Sequence, residues 1–302
     1  MYMKKVLLFS SIIILSVIFV DIFIGSISRM LLEGLPSSGT LFSNNKYALM
    51  DSKPDILIIG SSRANHHYDP IVFTDSLNLT CYNGGIDGHG MPMAYSVYKS
   101  VTDKKQPKLV ILDNWKTIWA DRHMDDLRYL YKLNPHVREI IDINISKSLS
   151  ERLKYNSNLY LYNNTLPRIL QSYLIGNINT NGYIPSPANN NTKLKAHVDS
   201  LDLEYDSLCL SLLEDMIIDC KERNIKLVFV TSPTLEIQKN KFMVKTDSIC
   251  RKYGIIYFNY NEDPRFTKDI SLFNDAIHMN ERGADKFSKD LASKLKLVLS
   301  SK

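Results

Sequence analysis

Five short apolar segments, separated by stretches with a helical pattern, constrain the fold more than any other feature of this 302-residue sequence. A continuous apolar run of about four to eight residues that ends at a turn is typical of a strand buried on both faces. Strands that alternate with helices indicate a parallel sheet covered by helices on both sides. The runs are Asp55–Ile59, Thr80–Asn83, Leu109–Leu112, Leu227–Thr231 and Ile255–Phe258. We therefore predict a three-layer α/β/α fold with a mainly parallel five-stranded sheet.

The composition is that of an ordinary globular protein, with 44% hydrophobic and 23% charged residues. The formal net charge is +5, but the basic residues are scattered and form no run typical of nucleic-acid binding. The four cysteines have neither CxxC nor zinc-site spacing, so we predict buried, unpaired thiols and no metal site. They are Cys81, Cys209, Cys220 and Cys250.

The N-terminus carries an apolar run from Val6 to Ile24 that only serines and Asp21 interrupt. That is close to the roughly 20 residues that a membrane-spanning helix needs. A cleaved signal peptide is the alternative, but its apolar region would be shorter and would end in small residues. Lys4 and Lys5 precede the run, and by the positive-inside rule they keep the N-terminus in the cytoplasm. We predict an uncleaved signal anchor with the remainder of the chain outside the cytoplasm.

The chain then divides into three predicted parts. Residues 1–30 form the anchor, residues 31–53 are a Ser-, Gly-, Asn- and Pro-containing linker, and residues 54–302 form one catalytic domain. Within that domain, residues 118–197 break the strand–helix alternation. We predict that this helical and loop-rich insertion lies as a lid over the edge of the sheet, where ligands bind in open α/β folds.

Gly60-Ser61-Ser62-Arg63 directly follows the first apolar run. A glycine there permits a sharp turn, and a serine at the start of the next helix would expose its hydroxyl beside its own N–H group. Acyl transfer needs that combination of a nucleophile and an oxyanion donor. The motif alone is weak, because a serine that simply caps a helix gives the same pattern.

Two further segments strengthen a catalytic interpretation. Asp275-Ala-Ile-His278 precedes the last predicted helix, and a carboxylate three residues before a histidine can fix the tautomer of the imidazole. Asn83-Gly84-Gly85 follows the second run, where a glycine N–H could act as a second oxyanion donor. An ordinary turn is the alternative in each case.

Together, these three segments resemble the SGNH (GDSL-like) hydrolases over roughly residues 55–299, the insertion excepted. Gly60-Ser61-Ser62 stands in the Gly-Asp-Ser block, Asn83-Gly84-Gly85 in the Asn-x-Gly block, and Asp275 and His278 in the Asp-x-x-His block. The third block, Gly-x-Asn-Asp, is not met, because Leu112-Asp113-Asn114-Trp115 occupies its place. The anchor, the Gly-Ser-Ser block and the long insertion look more like envelope-facing relatives that transfer acyl groups to or from surface polymers.

The resemblance implies a flavodoxin-like SGNH fold and a Ser62–His278–Asp275 triad that needs no metal or organic cofactor. It implies the N–H groups of Ser62 and Gly85 and the side chain of Asn114 as oxyanion donors. From their positions, we add Arg63 and Trp115 as candidate substrate contacts, although a solvated arginine is at least as common as one that binds substrate, and packing under the insertion is the commoner outcome for a tryptophan.

The predicted function is that of an extracytoplasmic serine esterase or O-acyltransferase. It would be held by a single span in the bacterial inner membrane, with a periplasmic or extracytoplasmic catalytic domain. Its expected partners are the membrane, an acylated envelope glycan or small acyl ester, and a membrane acyltransferase, but no nucleic acid. The alternative is a non-catalytic envelope protein that uses the same fold to bind a glycan or a partner protein.

Overall fold

The computed structural model describes residues 2–115, 124–145, 149–178, 180–187, 194–200 and 204–300. All five predicted strands are present in one sheet, and every neighbouring pair is parallel. They are β1 (Ile56–Ile59), β2 (Cys81–Asn83), β3 (Leu109–Asp113), β5 (Lys226–Thr231) and β7 (Ile256–Asn259). The spatial order is β2-β1-β3-β5-β7, the order of flavodoxin-like doubly wound sheets. A second parallel pair joins β4 (His197–Asp199) to β6 (Glu236–Gln238).

Helices cover both faces of this sheet. In chain order they are α1 (Tyr2–Glu33), α2 (Leu41–Met50), α3 (Ser62–His67), α4 (Pro70–Leu77), α5 (Met91–Thr102), α6 (Pro135–Asn144), α7 (Leu149–Asn156), α8 (Asn158–Tyr162), α9 (Thr165–Ile175), α10 (Ser207–Glu222), α11 (Lys241–Tyr253), α12 (Pro264–Thr267) and α13 (Glu281–Ser300). Short 3₁₀ helices lie at Asp125–Leu130 and Ile270–Leu272.

The strands divide their side chains between two hydrophobic cores. Leu57 and Val110 pack on one side with residues of α5, α10 and α2, whereas Ile56 and Ile58 pack on the other side with residues of α4 and α13. Successive side chains of a strand point to opposite faces, so a strand that is apolar throughout must be covered on both. The predicted three-layer α/β/α architecture is therefore present. The four cysteines are buried and unpaired, as predicted.

The predicted linker is wrong over α2, which is part of the folded domain. Thr40 caps this helix and forms a reciprocal capping box with Ser43. Phe42 and Leu49 are buried in the core beside α5. The polar composition of residues 31–53 suggested a linker, but its serines and asparagines serve caps and buried hydrogen bonds instead.

The described part of the insertion packs mainly against helices. Helix α6 contacts α5, helix α8 contacts α1, and helix α9 contacts both α1 and α2. Residues 181–184 lie at the carboxyl end of β2 and beside α3, because the N–H of Asn83 donates to the carbonyl of Asn181 at 2.8 Å and the N–H of Ile184 donates to the carbonyl of Asn65 at 3.3 Å. Residues 118–123, 146–148, 179 and 188–193 of the predicted insertion lie outside the described residues.

Helix α1 is the one helix of the described chain that is long and apolar enough to cross a membrane, with a mean hydropathy of 2.7 over its best window. Residues 2–20 are exposed on every side. From Asp21 onward one face of the helix packs against the domain, and Gly25, Ser28 and Leu32 are buried.

Candidate active site

Ser62 is the first residue of α3 and lies at the carboxyl end of β1. Gly60 makes the turn between strand and helix with φ of +152°, and a Cβ there would come within 2.8 Å of Cβ of Ala64. Both facts explain why the position requires glycine. The first N–H groups of a helix have no intrahelical acceptor, so the N–H of Ser62 is free of helix hydrogen bonding. The neighbouring Ser61 is the N-cap residue, but its side chain makes no capping hydrogen bond.

The structure brings Ser62, His278 and Asp275 into one hydrogen-bonded chain. Oγ of Ser62 lies 2.8 Å from Nε2 of His278. The other ring nitrogen, Nδ1, lies 3.0 Å from Oδ2 of Asp275. A carboxylate accepts only, so Nδ1 must carry a proton, and Nε2 of the neutral ring is left as the acceptor for the serine hydroxyl. This is the arrangement in which a histidine can act as a general base toward serine.

The turn itself holds Asp275 in place and ionised. Its Oδ1 accepts the backbone N–H groups of Ile277 and His278, each at 2.8 Å. Burial on its own would raise the pKa of Asp275, but the hydrogen bonds from the side chain and backbone of His278 outweigh it and lower the pKa. The carboxylate is thus charged at neutral pH and can stabilise an imidazolium on His278.

A second histidine–aspartate pair lies beside this chain. Nδ1 of His66 donates to the carbonyl of Ile184 at 2.7 Å, and Nε2 lies 3.1 Å from Oδ2 of Asp87. Both ring nitrogens therefore face acceptors, which favours the imidazolium form. Burial would lower the pKa of His66, but Asp87 outweighs it and the pKa is raised. The ring centroids of His66 and His278 are 5.6 Å apart.

A buried network behind α3 contains two residues that the sequence suggested for other roles. Arg63 is 1% exposed; its guanidinium donates to Oγ and the carbonyl of Ser232 and lies 4.1 Å from the ring centroid of Trp115. Trp115 is itself buried. The predicted substrate contacts of Arg63 and Trp115 do not fit these positions, because neither side chain can reach a ligand in the cleft. Their mutual packing is an internal cation–π contact.

His67 belongs to the same network and connects it to the turn that carries Asp275 and His278. Its Nε2 accepts the backbone N–H of Met279 at 2.9 Å, and its Nδ1 donates to Oγ of Ser232 at 2.9 Å. Burial is the main cause that lowers the pKa of His67 well below its usual range, and the charge of Arg63 is the second. A neutral His67 therefore fixes the residue next to His278.

The predicted oxyanion donors other than Ser62 are engaged elsewhere. The N–H of Gly85 donates to Oδ1 of Asn83 at 2.9 Å, and a Cβ on Gly85 would lie 2.5 Å from the N atom of Asn65. Glycine is therefore needed at position 85 because the turn lies too close to α3 for a side chain. Asn114 is fully buried, and its Nδ2 donates to Oγ1 of Thr246 on α11. Neither the Gly85 nor the Asn114 assignment fits this geometry.

A cavity of about 580 Å³ lies beside the second histidine–aspartate pair. Asp87, the partner of His66, forms part of its wall together with His89, whereas Ser62, His278 and Asp275 are not among its lining residues. Residues of α2 and α9 form the opposite walls, including Phe42, Arg168 and Gln171. The volume is in the range of pockets that hold small organic ligands. Within the described ranges, no group of three or more His, Cys, Asp or Glu residues is arranged to hold a metal ion.

Comparison with known proteins gives distant structural likenesses only. No family model and no curated protein matches the sequence. Among solved structures, "Structure of a putative lipolytic protein of G-D-S-L family from Desulfitobacterium hafniense DCB-2" is similar over 80% of this chain and 99% of that chain. The TM-score is 0.38 and the sequence identity is 8%. At that level of similarity no residue role carries over from that structure to this chain.

Proposed function

We propose that this protein is a membrane-anchored serine esterase or O-acyltransferase of the SGNH type, acting outside the cytoplasm on acyl esters of an envelope glycan. The observation that carries the proposal is the chain Ser62 Oγ–His278 Nε2 at 2.8 Å and His278 Nδ1–Asp275 Oδ2 at 3.0 Å. It lies at the carboxyl edge of the sheet, where doubly wound folds bind ligands.

In the first half-reaction, Nε2 of His278 takes the hydroxyl proton of Ser62 while Oγ forms a bond to the ester carbonyl carbon. The carbonyl oxygen gains the negative charge, and the N–H of Ser62 donates a hydrogen bond to it. When the tetrahedral intermediate collapses, the imidazolium gives its proton to the leaving alkoxide. Asp275 stabilises the imidazolium throughout and keeps Nδ1 protonated.

In the second half-reaction, His278 accepts a proton from water or from a sugar hydroxyl, whose oxygen attacks the acyl carbon of the acyl-enzyme. Collapse of the second tetrahedral intermediate breaks the bond between the acyl carbon and Oγ of Ser62, and the imidazolium returns its proton to Oγ. Water gives hydrolysis, and a sugar hydroxyl gives transfer. The cavity lined by Asp87 and His89 offers room for part of an acceptor. The envelope-facing relatives that the sequence resembles act on surface polymers, which supports a glycan as the acylated substrate.

The packing of α1 supports an anchor that is retained rather than cleaved. Oxygens of Asp21 accept hydrogen bonds from Oγ of Ser157 at 2.7 Å and from the N–H of Leu159 at 2.9 Å. Nδ2 of Asn158 also lies 3.0 Å from Asp21, and the same asparagine packs against Gly25. Cleavage near residue 25 would remove these contacts from the folded domain.

The engaged Gly85 N–H and the buried Asn114 favour a second candidate, a non-catalytic envelope protein that binds a glycan through the same fold. Such a protein would keep the hydrogen-bonded triad as a structural feature. It would lack turnover, because a single oxyanion donor would give too little stabilisation of the transition state.

Labelling with a fluorophosphonate probe separates the two candidates. The full-length protein in detergent should be labelled on Ser62, whereas Ser62→Ala and His278→Ala should not be labelled. Ser61→Ala is the matched control and should react like the natural protein, because its hydroxyl makes no capping hydrogen bond. Failure of the folded natural protein to react would contradict the catalytic proposal and favour the binding protein.

Kinetics on a p-nitrophenyl acyl ester extend this test. Ser62→Ala and His278→Ala should each lower kcat by about 10⁴- to 10⁶-fold, and the double variant should lose no more. Asp275→Asn should lose less than either. If Ser61→Ala loses activity while Ser62→Ala keeps it, the assignment of the nucleophile is wrong.

A further inference from the structure

An exposed apolar surface lies on the insertion close to α1. Its members are side chains of α7 and α8 that point to solvent although they are leucines. We define this surface, the apolar platform, as Leu149, Leu153 and Leu159, which are 72%, 58% and 37% exposed. Large apolar side chains grouped on one surface usually mark an interaction site.

The height of the platform along α1 follows from contacts with that helix. Residues 2–20 of α1 are exposed on every side. Val6 to Val20, the exposed residues after Lys4 and Lys5, extend about 22 Å at 1.5 Å per residue, which is less than the roughly 30 Å hydrocarbon thickness of a bilayer. Packing against the domain begins at Asp21, which therefore lies in the outer part of the bilayer.

One end of the platform lies at Asp21. Ser157 and Leu159, at the start of α8, bind the carboxylate of Asp21 directly. Helix α7, which carries Leu149 and Leu153, ends at Asn156 immediately before this contact and packs against α8. Leu159 is thus beside α1 in the outer part of the bilayer, and α7 extends the apolar platform from it. Arg152, exposed on the same helix, suits anionic lipid headgroups.

We propose that the apolar platform binds the outer surface of the lipid bilayer, with its leucines inserted beside α1. Interfacial helices bury their apolar faces roughly 5–10 Å below the headgroups. The domain would then be held by two membrane contacts in a fixed orientation, instead of swinging on a single helix. This inference rests on the proposed membrane anchor, but not on the catalytic activity.

Depth-dependent fluorescence quenching tests the platform in the full-length protein. Leu153→Cys carries a bimane label in nanodiscs made either of ordinary lipids or of lipids brominated near the top or near the middle of the acyl chains. The four natural cysteines are buried, and the labelled natural protein sets the background. Ile13→Cys in α1 reports on the span, and Val244→Cys, 70% exposed on α11, is the matched surface control.

Brominated lipids should remove on the order of half of the fluorescence at Leu153→Cys and at Ile13→Cys, and none at Val244→Cys. Quenching at Ile13→Cys without quenching at Leu153→Cys would overturn the platform while the anchor stands. Absence of quenching at both positions would overturn the anchor and the platform together. Crosslinking of Leu153→Cys to a second copy, without quenching by lipid, would assign the surface to self-association instead.

Discussion

At the scale of single residues, His66 joins three segments around the triad. It lies on α3, donates to the carbonyl of Ile184 from the insertion, and pairs with Asp87 in the loop after β2. The charges that face it are those of Asp87 and Asp275, and both favour the imidazolium. Because its pKa in the folded protein is raised above 6.5, protonation of His66 stabilises the fold.

The stabilisation should therefore depend on pH in one direction. It is complete below about pH 6.5 and is lost as the pH rises through the raised pKa of folded His66. His66→Gln should lower the melting temperature near pH 6 by roughly 2–4 °C, corresponding to on the order of 1 kcal/mol after screening of the partly exposed Asp87. The difference from the natural protein should shrink toward about pH 9.

Thermal unfolding of the full-length protein in detergent checks this prediction, and a double-mutant cycle with Asp87→Asn controls it. If the two residues act as a pair, the double variant should lose no more stability than the larger single loss. A difference that stays constant between these pH values would show that His66 contributes through packing alone.

The residue scale also shows how far sequence reasoning reached. The spacing of Asp275 and His278 is local, so the contact between them could be predicted from the sequence. Arg63 could not be interpreted in that way, because its burial depends on Ser232, which is 169 positions away in the chain. The engagement of Asn114 depends in the same way on Thr246 of a later helix. Local motifs identify candidate residues, whereas long-range partners decide which side chains are available.

At the scale of elements, His67 links α3 and the loop after β5 to the turn that carries Asp275 and His278. His67→Leu would leave the buried N–H of Met279 without an acceptor, at a cost of about 1–3 kcal/mol. Because Met279 follows His278, we expect kcat to fall more than KM rises. His67→Gln can present a carbonyl oxygen to the same N–H, so it should recover part of both stability and kcat.

Urea unfolding and ester kinetics of the two variants check the role of His67. A purely structural role would lower stability without changing kcat of the fraction that remains folded. Equal kcat for His67→Leu and the natural protein, measured on folded protein, would therefore contradict a positioning role.

The bounds of a helix could be predicted from the sequence where apolar residues recur with a clear helical period. They could not be predicted where polar residues dominate the helix. The final helix, predicted to follow Asp275-Ala-Ile-His278, is observed as Glu281–Ser300, and its apolar stripe faces the core. Helix α2 was missed, since its short sequence Leu41–Met50 contains serine, two asparagines and a lysine that the fold buries. Tertiary contacts with α5 and α9, rather than an apolar stripe, hold that helix.

At the scale of the whole molecule, the position of α1 connects the fold to the proposed membrane anchor. The helix enters the domain at Asp21 and contributes Leu32 to the core. The triad is at the carboxyl edge of the sheet, and the insertion lies between that edge and α1. A rigid connection of this kind would hold the cleft at a fixed height above the bilayer.

The lysines before the apolar run of α1 predict the orientation of the chain in the membrane. Lys4 and Lys5 precede the apolar run, so the positive-inside rule places the N-terminus in the cytoplasm and the domain outside. Alkaline phosphatase fused after Lys302 should be active in intact bacteria, because that enzyme matures only outside the cytoplasm. Green fluorescent protein at the same position should stay dark when exported in an unfolded state. Deletion of residues 2–24 is the control and should leave the phosphatase inactive and the green fluorescent protein fluorescent. The same result for the full-length fusions would place the domain in the cytoplasm and exclude an envelope substrate.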